Sequence, residues 1–319
     1  MFIGRRSQIG IALEGTPGVA ATPTHYIPFL ECSLLERHTP ISDSQAKGVR
    51  DVEGSDSVEG KKWGEGNIKV ILDPTTAPYW LALALGEISA GNFVGGKYIY
   101  TITQKIDNEP LTATIWRGRV VDELEFVNSV VNSLELNFAD DVVSLEANIL
   151  SKYPTAKDES PSDLPELKYF TFRNALLSIG TAESLESPSE GTTYKVKEFT
   201  LTIENDAELI YAPNNNDVDR IASKGFKVTG KFKILFENEI QKDAFRDVAK
   251  QAMILRLEDA DGNRIEFDIP LFRIDNWDLD TSIDDLAEEG IEFVAEYSEV
   301  DDKTISAEVI NEVDEYPES

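Results

Sequence analysis

The chain has 319 residues, 41% of them hydrophobic, enough for two ordinary cores. Acidic residues outnumber basic ones 59 to 30, a formal charge of −29, which excludes a nucleic-acid wrapper because phosphate contacts need clustered Lys and Arg. The single Cys32 excludes an internal disulfide framework.

The opening stretch carries Arg5 and Arg6, but the apolar run behind them, Ile9 to Leu13, is too short for a secretory signal. ECSLLER (Glu31 to Arg37) reads as a strand, followed by a long polar loop from His38 to Gly66. GNIKVILD (Gly66 to Asp73) is a second strand. TAPYWLALALG (Thr76 to Gly86) has a Thr start, an early Pro and a Gly stop, the marks of a short helix. Its apolar run cannot span a bilayer. SLELNF (Ser133 to Phe138) and SLEANIL (Ser144 to Leu150) alternate with period two, as half-buried antiparallel strands do.

Tyr153 to Leu167 holds Pro154, Pro161 and Pro165, several charges and little apolar surface, and reads as a linker. It divides the chain into 1–152 and 167–319, joined by 153–166. Beyond it, EFTLTIEN (Glu198 to Asn205) is a strand and Asn205 to Gly230 a second long loop. GKFKILFE (Gly230 to Glu237) is another strand. Asn238 to Ala252 reads as a helix with Ile240, Phe245, Val248 and Ala249 on one stripe. Leu255 to Asp259 and Arg264 to Ile269 flank a DADGN turn, and the acidic end EVINEVDEYPES is expected to fray.

The halves resemble each other. GNIKVILD aligns with GKFKILFE without a gap, matching Gly66 with Gly230 and Lys69 with Lys233. ECSLLER parallels EFTLTIE. Each half reads strand, long loop, strand, helix, then further strands, which points to an internal duplication. Loops of this length are usually functional or disordered, and here they stand at matched positions. The strands flanking them form hairpins that are expected to order only against a neighbour, over 39–62 and 206–225.

Little in the chain supports catalysis. His25 and His38 are the only histidines and read as exposed loop residues. Cys32 alternates with Leu34 on an apolar face and reads as an inert thiol. DADGN lacks a calcium loop's twelfth-position Glu, since that place is Pro270. Asp140-Asp141 and Asp284-Asp285 read as turn residues, GTPG (Gly15 to Gly18) as a turn, and Trp63, Trp80, Trp116 and Trp277 as packing groups. No metal or cofactor is expected, and no enzyme activity.

Several motifs together resemble the major tail tube proteins of long-tailed, non-contractile bacterial and archaeal viruses. They are the opening IGIALEGTPGVAATPTHYIPFLECSLLER, with its Glu-x-x-x-Gly turn and Thr-Pro pair, and Gly48-Val49-Arg50 in the first loop. The Gly-x-h-Lys-h-x-h-acid strand before a helix and the paired strands VVNSLELNF and SLEANIL complete the set. The resemblance implies a mainly β fold, a small β-sandwich with one flanking helix and a long hairpin loop, and the internal repeat makes it two such domains in tandem. It implies inner sheets that join between subunits into a continuous barrel, usually from six copies; the chain departs from shorter members in carrying two apparent copies, so three chains would supply the same six positions as a pseudo-hexameric ring. Four inner strands per domain give about 24 strands, a backbone diameter of about 50 Å and a lumen of roughly 40 Å, wide enough for duplex DNA.

On this reading the inner strands turn Glu31, Ser33, Lys69, Glu135, Asn137, Glu146, Asn148, Glu198, Thr200, Glu204 and Lys233 to the lumen, with Glu292 and Glu296 as further candidates. The long loops stack adjacent rings through Lys47, Gly48, Val49, Arg50 and Asp51, and through Tyr211, Asn214, Asp217 and Arg220. The implied partners are further copies of the chain and the tape-measure, terminator and distal-tail proteins. DNA passes without specific binding, no membrane is involved, and assembly in the host cytoplasm yields a virion tail. The competing class is a secreted or surface β-sandwich adhesin or carbohydrate-binding module; the missing signal and the two long loops weigh against it.

Overall fold

The computed structural model describes residues 7–42, 57–107, 109–118, 122–138, 142–158, 168–281 and 286–316. The first half runs β1 (Gln8–Leu13), β2 (His25–Ile27), β3 (Glu31–Cys32), β4 (Leu35–Ser42), β5 (Ser57–Ile71), α1 (Ala77–Leu85), β6 (Gly86–Ile88), β7 (Asn92–Val94), β8 (Lys97–Gln104), β9 (Ala113–Gly118), β10 (Glu123–Asn137), β11 (Ser144–Ser151) and β12 (Thr155–Ala156). The second runs β13 (Ala175–Thr181), β14 (Thr192–Tyr194), β15 (Val196–Glu204), β16 (Ala207–Tyr211), β17 (Val218–Ser223), β18 (Lys227–Leu235), α2 (Ile240–Asp247), β19 (Gln251–Glu258), β20 (Arg264–Asp280), β21 (Glu288–Ala295) and β22 (Ser306–Asn311). The protein is mainly β, as its alternating segments require.

The pairings repeat. In the first half β3 and β4 flank β5, β5 pairs with β11, and β11 with β10. In the second, β15 flanks β18, β18 pairs with β21, and β21 with β20. The outer sheets match too: β2–β1–β9–β10–β12 against β14–β13–β19–β20–β22. Glu31 lies opposite Lys69 and Glu198 opposite Lys233, so both sequence alignments hold in register. Gly66 and Gly230 match for a shared steric reason. A Cβ at either would sit 2.4 Å from the Ser33 carbonyl oxygen or 2.6 Å from that of Thr200, where the neighbouring strand crosses close above.

β10 belongs to both sheets. Its first part pairs with β9 and its last part with β11, and the register shifts between Phe126 and Ser129. Asn128 takes φ 56° at this corner. Buried Glu14 holds the corner. Its Oε1 accepts from the Asn128 amide and the Thr114 hydroxyl, and its Oε2 from the Thr112 hydroxyl and the Gly18 amide, all at 2.8 Å. The Gly18 bond is the physical content of the Glu-x-x-x-Gly turn. The second half turns its corner at Pro270, whose carbonyl accepts from the Glu183 amide at 3.0 Å.

The first helix is as expected and the second needs correction. α1 is as expected in extent, but it is buried all round, which suits its uniformly apolar sequence. Asp73 Oδ1 accepts from the Thr75 and Thr76 amides ahead of it, and burial pushes the Asp73 carboxyl up. α2 is shorter than expected and stops where Val248 turns left-handed, because β19 starts at Gln251. Of the expected stripe, Phe245 and Ala249 pack against the core, with Gln241 and Ala244 buried beside them, whereas Ile240 and Val248 are exposed.

The expected linker begins inside the sheet: Thr155 and Ala156 pair with Glu125 and Leu124, and the Lys157 amide donates to Glu123. Residues 159–167 lie outside the described residues, as do Asp140, Asp141, Asp284 and Asp285.

The C-terminus is not frayed through Tyr316. Its alternating SAEVIN forms β22, which lies between β8 of the first half and β20 of the second. Beyond it Tyr316, 4% exposed, packs on Tyr79, Tyr100 and His25 and donates to the Thr75 carbonyl at 2.6 Å. His25 is therefore half-buried rather than an exposed loop residue, with Nδ1 2.6 Å from the Tyr79 hydroxyl. His38 sits on β4, opposite Lys62. Cys32 lies at the core's margin, half-buried on the face where the sequence placed it.

Two predictions follow from these contacts. Glu14→Ala leaves four donors without their acceptor and should lower unfolding stability by about 3 kcal/mol, read by denaturant titration. Burial holds the His25 pKa below 6.5, so the fold favours the neutral ring. Its contribution is full above that value and is lost as pH falls through it. Between pH 7 and 5.5 the wild type should lose stability more steeply than His25→Gln; equal slopes would remove His25 from the clasp.

Candidate lumenal face and inner-sheet seam

The two strand quartets are one sheet. β10 pairs with β15 in antiparallel register: Ser133↔Glu204, Leu134↔Ile203, Glu135↔Thr202, Leu136↔Leu201 and Asn137↔Thr200. The order is β3/β4, β5, β11, β10, β15, β18, β21, β20. The core crosses this seam without a break, for Phe138 meets Phe199 edge-on at 5.6 Å, and Phe199, Phe232 and Phe293 continue the stack. Asn205 fastens it from behind. Its Nδ2 donates to Ala84 at the end of α1 at 3.0 Å and to Val131 of β10 at 2.9 Å.

Period two then fixes which side chains share a face. Ile68, Val70, Leu134, Leu136, Ala147, Phe199, Leu201, Phe232 and Ile234 are buried on one side. The eleven residues expected to line a lumen all stand on the other side, in rows set by the register. One row reads Glu31, Lys69, Glu146, Glu135, Thr202. Another reads Asn67, Asn148, Ser133, Glu204, and a third Asn137, Thr200, Lys231, Glu292. Glu198 pairs with Lys233 at 3.2 Å. The Ser33 hydroxyl accepts from the Asn67 amide at 2.8 Å.

An amide ladder crosses the first quartet. Asn67 Nδ2 donates to Glu146 at 2.7 Å, Asn148 Nδ2 to Asn67 Oδ1 at 2.7 Å, and Asn132 Nδ2 to Asn148 Oδ1 at 3.1 Å. Glu135 and Glu146 stand directly opposite each other, a like-charge cross-strand pair that costs stability.

Residue-by-residue reading missed Lys227, Lys231, Asp278, Asp280 and Glu288 on this face. The alternation in KVTGKFKIL and WDLD carries the signal. Glu292 is there as expected. Glu296 lies past the end of β21 and is held by Arg273 at 3.0 Å. The named side chains include nine carboxylates (Glu31, Glu135, Glu146, Glu198, Glu204, Asp278, Asp280, Glu288, Glu292) against four lysines (Lys69, Lys227, Lys231, Lys233), so the face is net acidic.

The long loops differ from each other. β4 and β5 run out as a hairpin to Ser42↔Ser57; Lys47, Gly48, Val49, Arg50 and Asp51 lie outside the described residues. The second loop folds back on its own chain as the hairpin β16–β17. Val218, Ile221, Leu209 and Tyr211 cover Val130, Leu150 and Trp63. Asp217 Oδ1 accepts from the Tyr153 amide at 2.9 Å, and Lys61 Nζ lies 4.4 Å from the Tyr211 ring centre. The expectation that 206–225 orders only on assembly is revised: its alternating AELIY and VDRIA find an apolar patch within the chain. Asn214 is at the exposed turn with φ 70°, and Arg220 is exposed opposite Ile210.

Chemistry is sparse. The DADGN segment is a turn, with Asp259 Oδ1 accepting from the Asp261 and Asn263 amides. Among the described residues no cluster of three or more His, Cys, Asp or Glu could hold a metal, and no helix is long and apolar enough to cross a membrane.

A family model described as phage tail tube protein matches residues 4–302. The chain belongs to the phage tail tube family. A search of curated proteins finds no match. Membership makes it a structural, self-assembling component of a virion tail and not an enzyme.

Proposed function

We propose that the chain is a two-domain tail tube subunit of a non-contractile, siphovirus-type tail, three copies of which close a pseudo-hexameric ring. The observation that carries this is the seam between β10 and β15. Two four-stranded quartets with the same internal order meet edge to edge within one chain, leaving β3/β4 free at one end and the last part of β20 at the other. The tandem units are 1–152 and 167–319, joined through 153–166, and each supplies one of six positions. Rings stack through the first loop, around Lys47 to Asp51, and through the surface of the second hairpin at Tyr211, Asn214, Asp217 and Arg220. The tape-measure, terminator and distal-tail proteins meet the tube at its bore and ends, and assembly takes place in the host cytoplasm. The adhesin reading has no observation in its favour, since the sheet edges are left open for pairing.

The acidic face lines the lumen through which genomic DNA reaches the host. Like charge repels phosphates and forgoes the counterion release that would hold the DNA on the wall. The Glu135–Glu146 opposition fits this role, because it costs stability and serves the passing cargo.

Ring mass, melting temperature and ejection rate test this reading. The mass of an isolated ring should equal three chains, with tubes visible by negative stain; a mass of six chains would overturn the three-chain ring. Glu135→Lys places a cation opposite Glu146 and should keep or raise the melting temperature. In virions it should slow genome ejection, more so at low salt. Unchanged ejection from well-formed tubes would remove the electrostatic role of the wall.

A further inference from the structure

The internal seam and the two open edges are made from corresponding residues. On the register of the repeat, Glu31 corresponds to Glu198, so Leu34 corresponds to Leu201 and Leu35 to Thr202. Likewise Glu135 corresponds to Asp278, so Leu136 corresponds to Leu279 and Leu134 to Trp277. At the internal seam Leu136 is 3% exposed, because β15 covers it. Its counterpart Leu279 is 41% exposed, and Trp277 is only half-buried where Leu134 is buried. Cys32, the counterpart of buried Phe199, is half-buried as well. The core stripe is thus incomplete along the free edge of β20 and at Cys32 on the other edge, where Leu34 is already buried and offers a finished apolar position for Leu279 to meet.

We propose that the last part of β20 pairs with β3/β4 of the next copy of the chain in the register of the internal seam. This sets Asn276 opposite Arg37, Asp278 opposite Leu35, Leu279 opposite Leu34, and Asp280 opposite Ser33. It rests on the ring reading above and adds the residue pairs that close the ring. The Phe138 amide donates to the Phe199 carbonyl, which makes Leu136↔Leu201 a hydrogen-bonded pair and Glu135↔Thr202 a non-hydrogen-bonded one. By correspondence the Leu279 and Trp277 amides point at the neighbour, and Asp278 and Leu35 form a close pair on the lumenal face. The Leu34 carbonyl already accepts from Arg117 Nη1, and a carbonyl has a second lone pair for the Leu279 amide. Ser33 beside Asp280 and Arg37 beside Asn276 leave no like charges opposed at this seam.

The experiment is disulfide trapping in assembled tubes. Leu35→Cys with Asp278→Cys in a Cys32→Ser background should give, on mild oxidation, covalent species ending at three chains. Leu35→Cys with Asp280→Cys, two residues out of register, should stay largely uncrosslinked. Three-chain rings in which the first pair stays reduced, or in which both pairs link equally, overturn the register and leave the ring reading intact. Rings of six chains, or no rings from the wild type, overturn the ring reading itself. Wild-type hydrogen exchange covers a variant that fails to assemble. The Trp277 and Leu279 amides should exchange fast in the free chain and become protected in tubes; if they stay fast in tubes, the proposed pairing is wrong.

Discussion

The fold depends on the corner of β10, and the corner depends on Glu14. A strand that joined only the outer sheet would leave the first quartet without its last member. A strand that ran straight would never reach β15. The bulge at Asn128 turns β10 from one sheet to the other, and a carboxylate with both oxygens doubly occupied makes that backbone geometry the stable one. A buried acid is costly unless fully hydrogen-bonded, and here it is. The seam, its hydrophobic stack and the rows of polar side chains opposite all lie downstream of that bend.

The division of labour between the sheet's faces follows from its period. One face is an aromatic and aliphatic core that passes from the first half into the second through Phe138 and Phe199. The other carries hydroxyls, amides and an excess of carboxylates. Because each strand contributes to both, changing the polar face need not disturb the core. That independence lets the polar face tolerate Glu135 opposite Glu146. It also explains why Trp277, on the core side near the open edge, keeps its indole N–H on Glu289, whose carboxyl burial pushes up.

Much of this was legible in the sequence because alternation reports burial directly. The repeated strand pairing could be read from eight residues around Gly66 and Gly230, since both glycines answer to the same close crossing. The candidate lumenal residues followed from period two. What escaped was set by tertiary contact. The hairpin β16–β17 has ordinary strand signals, but nothing local says that Val130, Leu150 and Trp63 lie beneath it. The last residues look like an acidic tail, yet Tyr316 fills a space between Tyr79, Tyr100 and His25 that only the folded first half creates. The short α2 ended where β19 had to begin.

The strands β6, β7 and β8 have no counterpart in the second half, where only a few residues separate α2 from β19. β8 grips β22, so the two halves of one chain are joined in both sheets, whereas the free edges offer only the inner one. In a closed ring of three chains the bore would present six nearly equivalent walls, and the exterior three ridges. Such an object has sixfold symmetry for whatever passes through it and threefold symmetry for whatever docks outside. The hinges of such a ring would be the three seams that lack the second layer.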